Sequence, residues 1–194
     1  MDLSWYEEIN AETPISQGDI LFDCPIFLPI PQYEFSDLEN LSKTKMGVAT
    51  ANVIIMTQAC DLNTDNGKRP PKVDSVVVAV LYDVKGQKWG TVSDVFKDKV
   101  KSASLLDKNE DGIPMNWQIV SFKNLYTIPY TLLEAFRAQH GPRLRMKSPY
   151  LENLSQKFGN FFSRIGLPDE SLIAEGELKE FVKKNEPKPE TQKS

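Results

Sequence analysis

Thr57, Gln58, Cys60 and Asp61 follow directly on the apolar run Val53-Ile-Ile-Met56, so hydroxyl, amide, thiol and carboxylate are delivered together where a buried segment ends. A thiol becomes a nucleophile only as thiolate and needs a base within hydrogen-bond reach. His140 is the only histidine. It stands in the loop-like context Gln139-His-Gly-Pro142, so a Cys60–His140 pair, oriented by Asp61 or another carboxylate, is the sharpest enzymatic arrangement the residue types allow. Gln58, Cys60, Asp61, Arg143 and Arg145 are candidate binding residues. Each has a structural alternative. A carboxylate after a strand can accept hydrogen bonds from the amides of the next turn, as can a glutamine, and Cys24 and Cys60 can serve as small buried hydrophobes. Two cysteines and one histidine, far apart, match no zinc spacing, and no glycine-rich phosphate loop occurs. No metal and no cofactor are therefore expected.

The elements that must position these residues can be read in order. Val53–Met56 suits a strand buried on both faces, and Ser75–Tyr82, the second β-branched run, suits its neighbour. Residues 3–10 suit a short helix lying as a lid, with Leu3, Trp5, Tyr6 and Ile9 as its apolar patch. Gly18-Asp19 turns into a strand that Pro25, Pro29 and Pro31 cut into edge-like pieces. Gln32 to Thr50 reads as a long surface loop, with a helical turn over Phe35–Leu41. Val92–Ser104 is ambiguous between helix and loop. Trp117–Phe122 and Leu125–Ile128 suit a hairpin turning at Lys123-Asn124, and Arg143–Lys147 a last strand with one buried face. Ser148 caps a helix with Pro149 in its first position and Leu151, Leu154, Phe158 and Phe161 on one face, and Gly166 and Pro168 mark its end. A weaker helix over Asp169–Lys184 and a disordered tail over 185–194 follow. Arg137, Arg143, Arg145, Lys147 and Arg164 read as a solvated basic face; interleaved with Tyr150, Phe158, Phe161 and Phe162, they are also a mixture that can hold single-stranded nucleic acid. The sum is an α+β chain, mainly β: a small antiparallel barrel with rim helices and a C-terminal helix, forming one domain over 1–184 with its helical extension from 148.

A length of 194 residues and a 40% hydrophobic fraction support a real core, and a net charge of −4 argues against a surface coated for non-specific nucleic-acid binding. There is no apolar run of membrane-spanning length and no basic start leading into an apolar segment. A cytoplasmic protein with reduced cysteines and no membrane association is expected.

Gly18-Asp-Ile-Leu21, Val53-Ile-Ile-Met56 and Val76-Val-Val-Ala-Val-Leu81, in that order over residues 15–85, resemble the PemK/MazF group. The resemblance implies an SH3-like barrel, and several of its members are toxin endoribonucleases that cut single-stranded RNA. In those enzymes an Arg-Pro pair precedes the second strand, and its arginine acts with a Ser or Thr on the transferring phosphate. Here Ala49-Thr-Ala-Asn52 stands in that position and Arg69-Pro70 comes after the strand, so most of the electrostatic stabilisation would be lost. Gln58-Ala-Cys-Asp61, together with Ser148-Pro-Tyr-Leu-Glu-Asn-Leu-Ser-Gln-Lys-Phe158 and Arg164-Ile-Gly-Leu-Pro168, is also similar to a set of uncharacterised bacterial proteins, a likeness that carries no established activity.

Two functions follow from the resemblance. The first is a non-catalytic MazF-like module that binds a protein partner, through the 32–50 loop or the 148–165 helix, as an antitoxin-like, anti-sigma-like or CRISPR-linked component of bacterial defence. The second is a metal-independent endoribonuclease with a rearranged site, in which Arg69 or a C-terminal arginine is the cation and Thr57 or Asp61 lies beside it. RNA stays open as a partner, as does a homodimer.

Overall fold

The computed structural model describes residues 4–28, 47–65 and 68–163. Seven strands form one antiparallel sheet, and each buried run of the sequence is accounted for by what covers its two faces. The strands β1 (Tyr6–Ile9), β2 (Asp19–Leu28), β3 (Gly47–Ile55), β4 (Ser75–Asp83), β5 (Ala103–Leu106), β6 (Gln118–Pro129) and β7 (Arg143–Met146) lie in the order β1-β7-β2-β3-β4-β6-β5. Helices α1 (Ala59–Leu62), α2 (Trp89–Phe96), α3 (Tyr130–His140) and α4 (Tyr150–Phe162) complete the described elements. The fold is mainly β with α and barrel-like, as the alternation of short β runs and turn signals implied.

β3 and β4 pair with Val53 opposite Val80, at the centre of the sheet. One face of this pair contributes Ile54, Met56, Ala79 and Leu81 to a core shared with Phe122, Leu144 and Leu154. The other contributes Val53, Ile55, Val76 and Val78 to a second core, closed by Leu62 of α1 and by Leu133 and Phe136 of α3. Burial on both faces is why neither run alternates with polar residues.

The two ends of the sheet come together through side chains. Tyr6 of β1 donates its hydroxyl to the Asp107 carbonyl just past β5, at 2.7 Å, and shares a core with Leu106 and Met115. α4 seals this side: Phe158 meets Phe122 edge-on at 5.5 Å, and Tyr150 stacks on Trp5 at 4.3 Å. Gly18 adopts φ +82°, a conformation that strains any other residue, and a Cβ there would sit 2.9 Å from the Leu151 side chain and have to displace it.

Several expectations are corrected. Residues 6–9 are a strand, not a lid helix, because Tyr6 through Ile9 pair with Met146 through Arg143. Trp117–Ile128 is no hairpin: β6 runs straight through Lys123-Asn124. Along it, Ala79 faces Leu125 while Val80 faces Ser121, so three extra residues are taken up in a bulge and each apolar half keeps its own core face. The ambiguous stretch 92–104 divides into the end of α2 and the start of β5, and the helix α3 has no counterpart in the sequence reading. Of the expected loop 32–50, residues 32–46 lie outside the described residues and Gly47–Thr50 belong to β3, so Ala49–Asn52 lie inside that strand rather than before it.

Pro25 is accommodated as expected. Its stretch of β2 pairs with β3 on one side, and β7 reaches only Asp19 and Ile20 on the other. Asp23, at φ 50°, forms the bulge here, and its amide is satisfied by the Asn52 side chain at 3.0 Å. The helical turn at 35–41, Arg164, the stop signal at Gly166 and Pro168, the helix at 169–184 and the tail lie outside the described residues, as do Pro29 and Pro31. Among the described residues, no helix is long and apolar enough to cross a membrane.

Candidate functional site

The polar cluster after β3 is gathered by α1, a single turn whose Leu62 anchors it in the core. The Cys60 thiol lies 3.6 Å from both Gln58 Oε1 and Asp61 Oδ1. The Asp61 carboxylate also meets Lys72 at 3.7 Å, and its carbonyl accepts from the Lys72 amide at 2.9 Å, tying α1 to the approach to β4. Thr57 has a structural task, since its hydroxyl accepts from the Val77 amide at 2.7 Å and so extends the β3–β4 pairing by one rung. Arg69 folds back on its own turn, 3.0 Å from the Asp65 carboxylate and 3.2 Å from the Asn63 carbonyl.

His140 does not complete a nucleophile site. It ends α3 rather than occupying a loop, with Nδ1 3.0 Å from the Phe136 carbonyl and its ring stacked on Phe136 at 3.8 Å. No hydrogen bond among the described residues joins it to Cys60. Among the same residues, no group of three or more His, Cys, Asp or Glu side chains could hold a metal ion.

Arg143 and Arg145 are not part of a solvated face, because both side chains turn inward onto Asp19, which is 0% exposed. Arg143 Nε donates to Asp19 Oδ2 at 2.6 Å, and its remaining donors reach the carbonyls of Asn10, Thr13 and Pro14. Arg145 donates from Nε to Asp19 Oδ1, and from Nη2 to Asp19 Oδ2 and the Pro14 carbonyl, each at 3.0 Å. Burial lowers the Arg143 pKa and the neighbouring carboxylate opposes the shift. Arg137 of α3, paired with Glu134, adds a bond to the Ala11 carbonyl, so three arginines clamp the 10–14 segment to β7 and α3. Charge alternating with apolar residues in 143–147 marked one buried face; here both faces are covered, one by the core and the other by this network.

Arg145 and α1 nevertheless line one recess. A polar cleft of 240 Å³ is lined by Thr13, Ser16, Asn63, Thr64 and Arg145, with Ala59 and Leu62 at its back. Part of the Gln58–Asp61 element thus borders the same recess as one of the two candidate arginines.

A different surface went unrecognised in the sequence. Trp89 is 75% exposed, Phe96 68% and Trp117 44%, which is unusual for residues of this size. All three line one apolar groove of 280 Å³, floored by Val84, Val92 and Leu105. It continues past Phe96, Leu105 and Trp117 into a 360 Å³ recess reaching Trp5 and Lys157. The groove exists because α2 buries Val92 and Val95 against the sheet and turns Trp89 and Phe96 outward. The Lys108 ammonium lies 5.0 Å from the Trp117 ring centre, within cation–π range. Its signal in the sequence was an excess: 89, 92, 95 and 96 supply more apolar residues than one buried stripe of a two-turn helix can use.

Searches against family models and against curated proteins gave no match to this chain.

Proposed function

We propose that this chain is a non-catalytic binding module that docks a protein partner in the groove formed by Trp89, Phe96 and Trp117. The single observation behind this reading is that three large aromatic residues, exposed and adjacent, share one apolar recess. Such side chains anchor protein interfaces, and monomers rarely leave them side by side in water. The expected occupant is a segment that places apolar side chains in the groove. The MazF-like lineage and a role in bacterial defence or regulation belong to the same proposal and rest on the resemblance in residues 15–85.

The chemistry of the arginines favours binding over RNA cleavage. The chain has five, and none precedes Arg69, so no arginine stands before β3 to match that of the toxin enzymes. Arg69 is paired with Asp65, Arg137 and Arg143 are engaged in the clamp, and Arg145 gives its Nε and Nη2 to the same clamp. Thr57, the candidate hydroxyl, is committed to the Val77 amide.

The test is quantitative affinity capture from cells that carry the protein, comparing the native chain with a Trp89→Ser/Phe96→Ser variant. Both substitutions are on exposed positions, so the variant should melt like the parent. A partner retained in fixed stoichiometry by the parent and lost by the variant supports the reading. Equal recovery by both removes the groove from it.

A further inference from the structure

The polar cleft beside α1 has a charge imbalance that the fold does not need. Arg143 and Arg145 bring two positive charges and Asp19 one negative, leaving one positive charge in excess. Arg137 and Glu134 balance each other. Arg145 commits only Nε and Nη2; its Nη1 donates to no group among the described residues, although Arg145 walls the cleft. Across the cleft, Asn63 accepts the Asp65 amide with Oδ1 at 2.8 Å, which leaves its amide nitrogen as a donor. Arg69, whose Nε donates to the Asn63 carbonyl at 3.2 Å, stands next to Asn63 as a member of the Arg69–Asp65 ion pair. Of the nearby carboxylates, Asp65 is paired with Arg69 and Asp61 with Lys72, while Glu12, next to the cleft residue Thr13, is exposed to solvent, which screens its charge. Glu7, opposite Arg145 in the β1–β7 register, is exposed and forms no ion pair with it among the described residues.

We infer that this cleft binds a phosphate group, with Arg145 Nη1, the Asn63 amide and the Ser16 hydroxyl as donors. Arg145 Nη1 carries two N–H bonds, and together with an amide and a hydroxyl it can donate to several oxygens of a phosphate group, which accepts charge-assisted hydrogen bonds on each. At 240 Å³ the cleft is smaller than the roughly 300 Å³ at which pockets for drug-sized ligands begin. The ligand is therefore inorganic phosphate or the head of a small phosphate monoester.

The experiment titrates the full chain with sodium phosphate, glycerol phosphate, sodium acetate and sodium chloride at equal ionic strength, following backbone amide resonances. Saturable shifts at Ser16, Asn63 and Thr64 with phosphate, and not with acetate or chloride, are the expected result. The tighter of the two phosphate compounds then identifies the source. Asn63→Asp preserves the acceptor for Asp65 while adding a carboxylate to the cleft, and should weaken binding about tenfold or more with an unchanged melting temperature. Arg69→Ala, at an exposed position, should weaken it by less. Absence of saturable shifts, equal shifts with acetate or chloride, or Asn63→Asp binding like the parent would each overturn the assignment.

Discussion

Asp19→Asn is the substitution that most sharply separates a structural from a binding role for the two candidate arginines. The Asp19 carboxylate is wholly buried and accepts from Arg143 Nε, Arg145 Nε, Arg145 Nη2 and the Ser16 amide. Asparagine keeps the shape but removes the charge, so the buried excess rises from one positive charge to two. It also turns an amide donor toward guanidinium donors. Leaving buried charge uncompensated costs about 3–5 kcal/mol. For a chain of this size each kcal/mol moves the melting temperature by about 2–4 °C, so a fall of about 6–20 °C is expected. Urea unfolding followed by circular dichroism, with the denaturant slope unchanged, measures the loss directly. A loss under about 1 kcal/mol would refute the clamp, because the arginines would then be held by something other than Asp19.

The other expectations concern single groups. Burial pushes the Cys24 thiol up to about 12, whereas Cys60 is exposed, so native protein should consume one equivalent of a thiol reagent at neutral pH and a second only on unfolding. Two equivalents in the native state would contradict the burial of Cys24. Burial, reinforced by the negative charge of Asp107, raises the Tyr6 pKa far above that of a free tyrosine. The folded state therefore keeps a proton that the unfolded chain releases near pH ~10, and stability present below that pH falls above it by about 1.4 kcal/mol per pH unit. Tyr6→Phe should cost about 1 kcal/mol at neutral pH through loss of the bond to the Asp107 carbonyl, and should flatten the alkaline decline. A mixed single-stranded RNA pool should remain intact with or without EDTA, for the parent and for Arg69→Ala and Asp61→Ala alike; cleavage abolished by either substitution would restore the ribonuclease reading.

The parts of the fold legible in the sequence were those where one physical requirement dominates. Val53–Met56 and Ser75–Tyr82 had to be buried on both faces, and the spacing of Leu151, Leu154 and Phe158 had to give one helical face. Where two requirements competed, the local pattern misled. Trp5, Tyr6 and Ile9 fit a helical stripe, but pairing with β7 decided the outcome. Lys123-Asn124 has the composition of a turn, but a bulge absorbs it because both halves of β6 pair with the same strand. Arg143 and Arg145 signalled solvent until Asp19, more than a hundred residues away in the chain, supplied the buried countercharge. That Arg145 and Asn63 line one cleft, and Trp89 and Trp117 one groove, depends on tertiary placement, and no local rule encodes either.

The most direct test of the proposed function is to place a photo-activated crosslinking residue at position 89, then at 96 and 117, and to irradiate cells carrying each variant. Position 127, exposed on β6, serves as the control. The expected result is one discrete protein adduct shared by all three groove positions and absent from the control. Adducts to RNA alone, or the same adduct pattern at position 127, would contradict a protein-docking role for the groove.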